Sequence, residues 1–229
     1  MRTYLDPTAP IASDALLTDD PKAAMDLAVA ITDSPRMSNL AHGLWGYHGT
    51  ARDGRELTIQ SLGIGGPSAA AVMADLAQLG VRRAIRIGSC IALDEGRKPG
   101  SSLVASAFEP ADGASIALAG RAELRPDSAL TDALAHATGA GASASGLVRS
   151  TDVVDRDGPS IGGAIALDLS SAAFAAACVR GGIDCACALV VAGSTGGAPL
   201  GQDRLEQALL GLGTRAAAAL GAVPQASGS

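Results

Sequence analysis

The chain has 229 residues, of which 48% are hydrophobic and only 17% are charged, so a large apolar core is expected and an intrinsically disordered chain is excluded. Its length fits one domain. The formal net charge of −6 and the 2% of aromatic residues disfavour a nucleic-acid partner, because a phosphate backbone attracts basic surfaces and exposed bases stack on aromatic rings.

The N-terminal segment and the apolar runs predict a protein without a secretory signal or a membrane span. Asp6 and two prolines interrupt the segment in which a signal would need a continuous apolar stretch. The most apolar run, residues 185–193, is far shorter than the roughly 18–20 residues of a membrane span. We therefore expect a cytoplasmic protein with reduced, buried thiols and no metal site at its four cysteines, Cys90, Cys178, Cys185 and Cys187.

Helical and strand patterns alternate along the chain. Asp20 and Pro21 precede the first helical pattern, and Asp53-Gly54 supplies the turn between the first two strands. In chain order the predicted elements are a helix over 22–31, strands over 45–50 and 56–62, a helix over 69–79, strands over 84–87, 102–107 and 115–119, a helix over 127–137, strands over 145–148 and 164–167, a helix over 171–181, a strand over 186–192 and a helix over 203–220. This alternation predicts an α/β protein whose sheet is covered by helices on both faces, in a single domain over 1–223 followed by a tail at 224–229.

Arg86 is the first candidate for binding chemistry, because it lies in an apolar strand between two isoleucines and is followed by Gly88 and Ser89. A guanidinium group is costly to bury without an anion. It therefore pairs either with an internal carboxylate or with an anionic ligand at the carboxyl end of the sheet. The spacing leaves both interpretations open and slightly favours the internal pair.

A second polar cluster follows the strand predicted over 164–167. Asp168 ends this strand, and Ser170 and Ser171 stand where they would cap the next helix. The glycine spacing at 63–68 departs from the dinucleotide fingerprint, so no nucleotide cofactor is indicated. The chain has three histidines and no G-x-S-x-G elbow, which leaves a hydrolase triad unsupported.

Residues 43–93 carry three signatures in order: a G-T-x-x-x-G hairpin, the GIGGPS bend and an R-x-G-[ST] strand end. This segment closely resembles the nucleoside phosphorylase-I family, which includes uridine phosphorylases and hexameric bacterial purine nucleoside phosphorylases. Weaker similarity at 16–23, 150–155 and 168–172 extends the resemblance over nearly the whole chain. The resemblance implies a three-layer α/β/α fold with a central mixed sheet, and phosphate-dependent cleavage of the N-glycosidic bond of a purine or pyrimidine nucleoside.

The resemblance also implies ligands for phosphate and for nucleoside. For phosphate they are Arg86 and Ser89, with Lys22 and His42 as further donors. For the nucleoside they are Cys90, Val154, Asp168, Leu169 and Ser170. Inorganic phosphate is then the co-substrate, no other cofactor and no metal is expected, and the chain is expected to form a homodimer or a hexamer.

Several positions depart from the family pattern. Asp19 replaces a glycine that contacts phosphate, Ala23 replaces an arginine, and Ser170 replaces a glutamate that binds the ribose hydroxyls. Val154 stands where an aromatic residue stacks on the base, and Gly193 lies where the purine enzymes place an acid. The sequence therefore favours a nucleoside phosphorylase with altered specificity. It leaves open a relative that binds a nucleoside, a base or an anion without turnover, and an enzyme in which water replaces phosphate.

Overall fold

The structure is a computed structural model that describes residues 4–93, 96–139, 144–153, 162–194 and 197–225. In chain order these residues form β1 (Asp14–Thr18), α1 (Pro21–Ile31), β2 (Thr32–Asn39), a short 3-10 turn (Ala41–Gly43), β3 (Gly46–Ala51), β4 (Glu56–Ser61), α2 (Gly66–Gln78), β5 (Arg83–Ala92), β6 (Ser102–Ala111), α3 (Gly113–Ala119), α4 (Ser128–Thr138), β7 (Ser145–Thr151), β8 (Ala166–Asp168), α5 (Ser171–Gly181), β9 (Asp184–Ser194) and α6 (Gln202–Ala222). None of the described helices is long and apolar enough to cross a membrane. The end of the predicted tail, 226–229, lies outside the described residues.

The strands form one mixed sheet in the order β2-β3-β4-β1-β5-β8-β7-β6-β9, and β9 also pairs with β5. Strand β1 lies between β4 and β5 and is parallel to both. Strand β5 pairs in parallel with β9 and antiparallel with β8. The part of the sheet from β5 to β9 therefore closes on itself, and β5 is the strand at which the open and closed parts meet.

Helices cover both faces of the sheet, which confirms the three-layer α/β/α fold with a central mixed sheet. One apolar cluster contains Leu76 of α2 and Phe174 of α5, and the other contains Leu27 of α1, Leu134 of α4 and Leu212 of α6. All five side chains are buried. Apolar residues on both faces of the strands explain why the central strands have near-continuous apolar sequences.

Most predicted elements are present, but the strand predicted over 115–119 is wrong. Residues Gly113–Ala119 form helix α3, whose first turn is capped by the Asp112 carboxylate accepting a hydrogen bond from the Ser115 backbone N–H. A run of five residues is too short to separate a period of two from a period of 3.6, so the capping residue was the better signal. Strand β5 is also longer than predicted and continues through Gly88 and Ser89 to Ala92.

The sequence reasoning missed strands β1 and β2. Every residue of β1 is buried, so it shows no alternation of polar and apolar side chains. Strand β2 lies at the edge of the sheet, and its pairing with β3 is irregular around Pro35 and around Ser34, which has a φ of 47°. A proline argues against assigning a strand from the sequence, although edge strands tolerate proline.

The alternation of side chains on β5 sets the position of the candidate site. Ile85 and Ile87 pack in the cluster of α1, α4 and α6, whereas Ala84 and Cys90 pack in the cluster of α2 and α5. Arg86 falls on the same face as Ala84 and Cys90, because side chains two residues apart share a face. The guanidinium group therefore points towards the N-terminal end of α5.

Candidate active site

A cavity of about 1020 Å³ opens between the end of β1, the 3-10 turn, the glycine-rich bend, the middle of β5 and the β8–α5 junction. The structure brings seven of the predicted ligands to its wall: His42, Arg86, Ser89, Cys90, Asp168, Leu169 and Ser170. Two predicted ligands are not among them. Lys22 lines a neighbouring cavity of about 440 Å³, and Val154 lies outside the described residues.

Arg86 is the central charged group of the cavity wall, with only 1% of its surface exposed. Its Nη2 donates to both carboxylate oxygens of Asp19, at 3.0 and 2.8 Å, and to the Ser170 Oγ at 2.7 Å. Its Nη1 donates to the Ser171 Oγ at 2.8 Å and lies 3.1 Å from Asp168 Oδ2. Both terminal nitrogens of the guanidinium group are therefore engaged within the protein, and the internal pairing that the sequence slightly favoured is present.

Asp168 is held in place by many donors and is almost fully buried. Its Oδ1 accepts from the Ser150 hydroxyl at 2.5 Å, and its Oδ2 accepts from the Ser171 hydroxyl at 2.5 Å. The Ser171 backbone N–H lies 3.2 Å from Oδ1 and 3.1 Å from Oδ2. The carboxylate of Asp168 thus caps α5, which was the role predicted for the two serines, and the serine hydroxyls bind Arg86 instead.

Asp19 is bound less firmly than Asp168. It lies between β1 and the helix-capping residue Asp20, and 27% of its side-chain surface is exposed, compared with 1% for Asp168. The side-chain hydrogen bonds described for Asp19 come from Arg86 and from Ser170. Asp19 lines both the large cavity and the smaller one, so open space lies on two sides of its carboxylate.

Gly88 allows this ion pair to form. A Cβ atom at Gly88 would lie 2.7 Å from Arg86 Nη2 and 2.9 Å from Asp19 Oδ2, closer than real Cβ contacts. The guanidinium group and the Asp19 carboxylate therefore pack directly over the backbone of β5. The glycine two residues after Arg86 is required here for space and not for a turn.

The charged groups of this cluster shift one another's pKa values. Burial raises the pKa of Asp19, the nearby charge of Arg86 lowers it in part, and the charge of Asp168 raises it further. Burial would lower the pKa of Arg86, but the carboxylates of Asp19 and Asp168 outweigh it, so the pKa of the guanidinium group lies above its usual value. The cluster holds two carboxylates for one arginine, and burial disfavours the ionised form of Asp19.

The thiols near the cluster are poor nucleophiles. Burial raises the pKa of Cys90, which lines the cavity, and it raises the pKa of Cys187 to about 11. Cys187 Sγ lies 3.6 Å from Arg86 Nη1 and 3.4 Å from the Ser171 Oγ. Because the thiolate is the reactive form, neither cysteine is prepared for covalent catalysis near neutral pH.

The two predicted cationic helpers of Arg86 differ in their placement. Lys22 Nζ pairs with Asp26 at 2.6 Å and with Glu206 at 3.0 Å on the exposed surface between α1 and α6. This pairing follows from the i,i+4 spacing of Lys22 and Asp26 on one helix, and it draws the ammonium group away from the cavity. His42 does line the cavity, in the left-handed backbone region with a φ of 56°, and its ring contacts Tyr4 edge to face.

Apart from Asp20 and Ser68, the remaining wall is apolar and carries no Phe, Tyr or Trp among its described residues. Its larger side chains are aliphatic, and one of them, Ile64 in the glycine-rich bend, is 80% exposed. The aliphatic members are Leu44, Ile64, Ile91, Leu167 and Leu169. Such a cavity can hold a flat or ring-shaped apolar group beside a polar cluster, without aromatic stacking.

Sequence reasoning missed three polar residues of the cluster, Ser150, Ser171 and Cys187. Ser150 joins β7 to Asp168, and it also accepts a hydrogen bond from the Ala172 backbone N–H at 2.8 Å. Ser171 was assigned to helix capping alone, and Cys187 to the apolar core. The pairing of β7 with β8 brings Ser150 to Asp168, and the pairing of β5 with β9 brings Cys187 to Arg86, so no local spacing in the sequence shows these contacts.

The known proteins that this chain resembles are nucleoside phosphorylases. The sequence model of the phosphorylase superfamily matches residues 14–223. A uridine phosphorylase of Escherichia coli (strain K12) is 34% identical over 102 residues, which is 44% of this chain and 40% of that protein. A purine nucleoside phosphorylase DeoD-type of Lacticaseibacillus casei (strain BL23) is 30% identical over 121 residues, or 47% of this chain and 50% of that protein.

A guanosine phosphorylase of Halorubrum lacusprofundi is 41% identical over a shorter stretch of 63 residues, which is 28% of this chain and 26% of that protein. The matched segments thus span half or less of the length of these curated relatives. The match of the superfamily model, in contrast, covers β1 through α6 and hence every element that lines the cavity.

Proposed function

Because the chain belongs to the phosphorylase superfamily, we propose that it cleaves the N-glycosidic bond of a purine or pyrimidine nucleoside with inorganic phosphate as co-substrate. The observation that carries this proposal is the single cavity that joins Arg86 and Ser89 to Ser170 and an aliphatic wall. A guanidinium fork matches the oxygens of phosphate, and hydroxyl groups beside an apolar wall suit a sugar attached to a base.

In the proposed complex Arg86 and Ser89 bind phosphate, and Ser170, Leu169 and Cys90 contact the nucleoside. Asp168 orients Arg86 and the start of α5, since its own oxygens are already occupied by donors of the protein. Val154 stays a predicted contact to the nucleoside. Lys22 is not part of the proposed site, because its ammonium group is paired with two carboxylates outside the cavity.

The reaction needs alignment and charge stabilisation more than it needs a nucleophilic side chain. An oxygen of phosphate attacks C1′ of the sugar, the bond from C1′ to the base nitrogen breaks, and the products are a sugar 1-phosphate and the free base. Arg86 holds the attacking phosphate next to a sugar that becomes positively charged in the transition state. Alignment and electrostatic stabilisation in a site that excludes water can each lower the barrier by several kcal/mol.

A second candidate is cleavage of the same bond by water. It is favoured by one observation: both terminal nitrogens of Arg86 are already occupied by Asp19, Asp168, Ser170 and Ser171. With both terminal nitrogens engaged within the protein, a water molecule beside the cluster would attack C1′ in place of phosphate and yield the free sugar. A third candidate, binding of a nucleoside without turnover, rests on the same occupied arginine.

The deciding experiment incubates the purified protein with a panel of purine and pyrimidine nucleosides, with and without phosphate, and measures release of the base by chromatography. Release that requires phosphate and is lost in Arg86→Ala and Ser89→Ala supports the proposal. Equal release without phosphate identifies the hydrolytic candidate. No release from the folded protein rejects both reactions for the panel, and Lys22→Ala is the matched control that removes a cation outside the cavity.

We also propose that the chain assembles as a homodimer or a hexamer. Two apolar side chains are strongly exposed: Leu40, which precedes the 3-10 turn, at 61%, and Ile64 of the cavity wall at 80%. A second copy that covers them would remove this apolar surface from water. Light scattering of the purified protein tests the proposal, and the substitution Ile64→Asp should reduce the assembled mass if this surface is buried.

A further inference from the structure

We propose that Asp19 is an internal competitor of phosphate, so that an anion binds Arg86 only when the Asp19 carboxylate leaves it. This inference rests on the proposed use of Arg86 as the phosphate ligand. Asp19 contacts Nη2 with both oxygens, and both residues line the large cavity. A phosphate that bound at Nη2 would need the donor that Asp19 occupies.

The geometry identifies Asp19, and not Asp168, as the group that gives way. Asp168 accepts hydrogen bonds from the side chains of Ser150 and Ser171 and from backbone N–H groups at the start of α5, so moving it would disrupt the helix cap. The side-chain hydrogen bonds described for Asp19 come from Arg86 and Ser170. Displacing Asp19 therefore breaks interactions with these two site residues and leaves the cap of α5 in place.

The surroundings also provide a place for the displaced side chain. Asp19 lines both the large cavity and the smaller one, and the smaller one is lined by residues of α1 and α6. The smaller cavity is lined by the carboxylates of Asp20, Asp26 and Glu206, with Lys22 as its cation. An ionised Asp19 that turned into this cavity would meet like charges, so its release is favoured when it takes up a proton.

Charge balance leads to the same conclusion. Arg86 with Asp19 and Asp168 already carries one excess negative charge when both carboxylates are ionised. Adding a phosphate dianion would place several negative charges around one buried guanidinium group, whereas a neutral or absent Asp19 leaves a cluster that can accept it. Arg86 of β5 and Asp168 of β8 act on Asp19 directly, and Cys187 of β9 contacts Arg86. The other titratable or charged groups that share a cavity wall with Asp19 are Asp20, Lys22, Asp26, His42, Asp203 and Glu206.

The experiment measures binding of inorganic sulfate by isothermal titration calorimetry. Sulfate has the shape and charge of phosphate but does not change its protonation from about pH 5 to about pH 8, so a change of affinity in this range reports on the protein. Asp19→Ala removes the competitor, and Asp19→Asn keeps the size while removing the charge. Asp20→Asn is the matched control, since it removes a neighbouring charge that does not contact Arg86 and asparagine still caps a helix.

We expect Asp19→Ala to bind sulfate about tenfold more tightly than the unchanged protein near neutral pH, an effect of the order produced by removing one nearby like charge. The affinity of the unchanged protein should rise as the pH falls, and this rise should be smaller in Asp19→Asn. The variant His42→Gln removes any contribution of this histidine to sulfate binding. The part of the rise in sulfate affinity that depends on Asp19 should remain in this variant.

Equal sulfate affinity in the unchanged protein and in both Asp19 variants would overturn the inference. So would an equal gain in Asp20→Asn, because the effect would then come from general electrostatics and not from competition at Arg86. If Asp19→Ala does not fold, Asp19→Asn alone carries the comparison. Because sulfate binding does not require turnover, tight binding without base release would reject the proposed function and leave the inference standing.

Discussion

Replacing Arg86 by methionine tests whether the guanidinium group compensates buried negative charge. Removing one partner of a buried ion pair costs roughly 3–5 kcal/mol, because the remaining charge stays desolvated and unpaired. Asp168 fits this case, since 1% of its side chain is exposed. Asp19 adds less, because 27% of its side chain is exposed and water can solvate it from the cavity. Methionine preserves much of the apolar stem, so packing loss contributes little.

The measurement is urea denaturation of the unchanged protein and of Arg86→Met at about pH 7.5 and about pH 5. We expect the loss of unfolding free energy to be smaller at the lower pH. Burial already raises the pKa of Asp19, and removal of the arginine takes away the charge that opposes this shift, so protonation neutralises the carboxylate on acidification. The added substitution Asp19→Asn should recover part of the loss at the higher pH.

A loss below about 1 kcal/mol, the range of surface ion pairs, would refute the reasoning. An equal loss at both pH values would also refute it, because the cost would then come from packing and not from charge. Arg125→Met is the control, since Arg125 pairs with Glu123 on the surface and 75% of its side chain is exposed. No measurable change is expected there.

Three further predictions follow from the described contacts. Asp14→Asn should lower the unfolding free energy by roughly 3–5 kcal/mol in urea denaturation, because it leaves the buried Arg83 without its carboxylate, while sulfate affinity stays unchanged. Phe174→Ala should cost about 3–5 kcal/mol in the same assay, since the ring is fully buried between α5 and the sheet, and a loss under about 1 kcal/mol would contradict that packing. The third prediction concerns the pH dependence of stability in Asp19→Asn. Because burial raises the folded-state pKa of Asp19, the unfolding free energy of the unchanged protein relative to this variant should fall as the pH rises through that pKa. Parallel curves of unfolding free energy against pH would exclude the shift.

The helices could be predicted because their signals are local. The Asp20 cap lies within one turn of the helix it starts, and its carboxylate accepts a hydrogen bond from the Ala23 backbone N–H at 2.9 Å. Helix α5 was predicted with the bounds that the structure has, Ser171–Gly181. Strands β1 and β2 had no such signal, because one is buried on both faces and the other is an irregular edge strand.

The candidate site was only partly predictable, for a different physical reason. Arg86 could be recognised as a buried charge in an apolar strand, but its partners are distant in sequence: Asp19 is 67 residues away and Ser171 is 85 residues away. A spacing rule cannot find such partners. The pairing of β1 with β5 places Leu17 beside Arg86, and this register carries Asp19, two residues further along, to the guanidinium group.

Only the fold shows that Asp19 and Arg86 are partners. From the sequence, a carboxylate at the expected phosphate site had no partner and opposed the expected ligand. In the structure it has Arg86 as its partner, and Gly88 provides the space in which the two groups meet. Stability alone does not require this pair, because Asp168 already supplies a buried counter-ion to Arg86. Placing a second carboxylate beside one buried arginine lowers stability, because the carboxylate is desolvated and is repelled by the first one. Proteins keep such a destabilising arrangement where their function depends on it. The occupied arginine is therefore best understood as a site whose anion is exchanged, with Asp19 as its resident occupant.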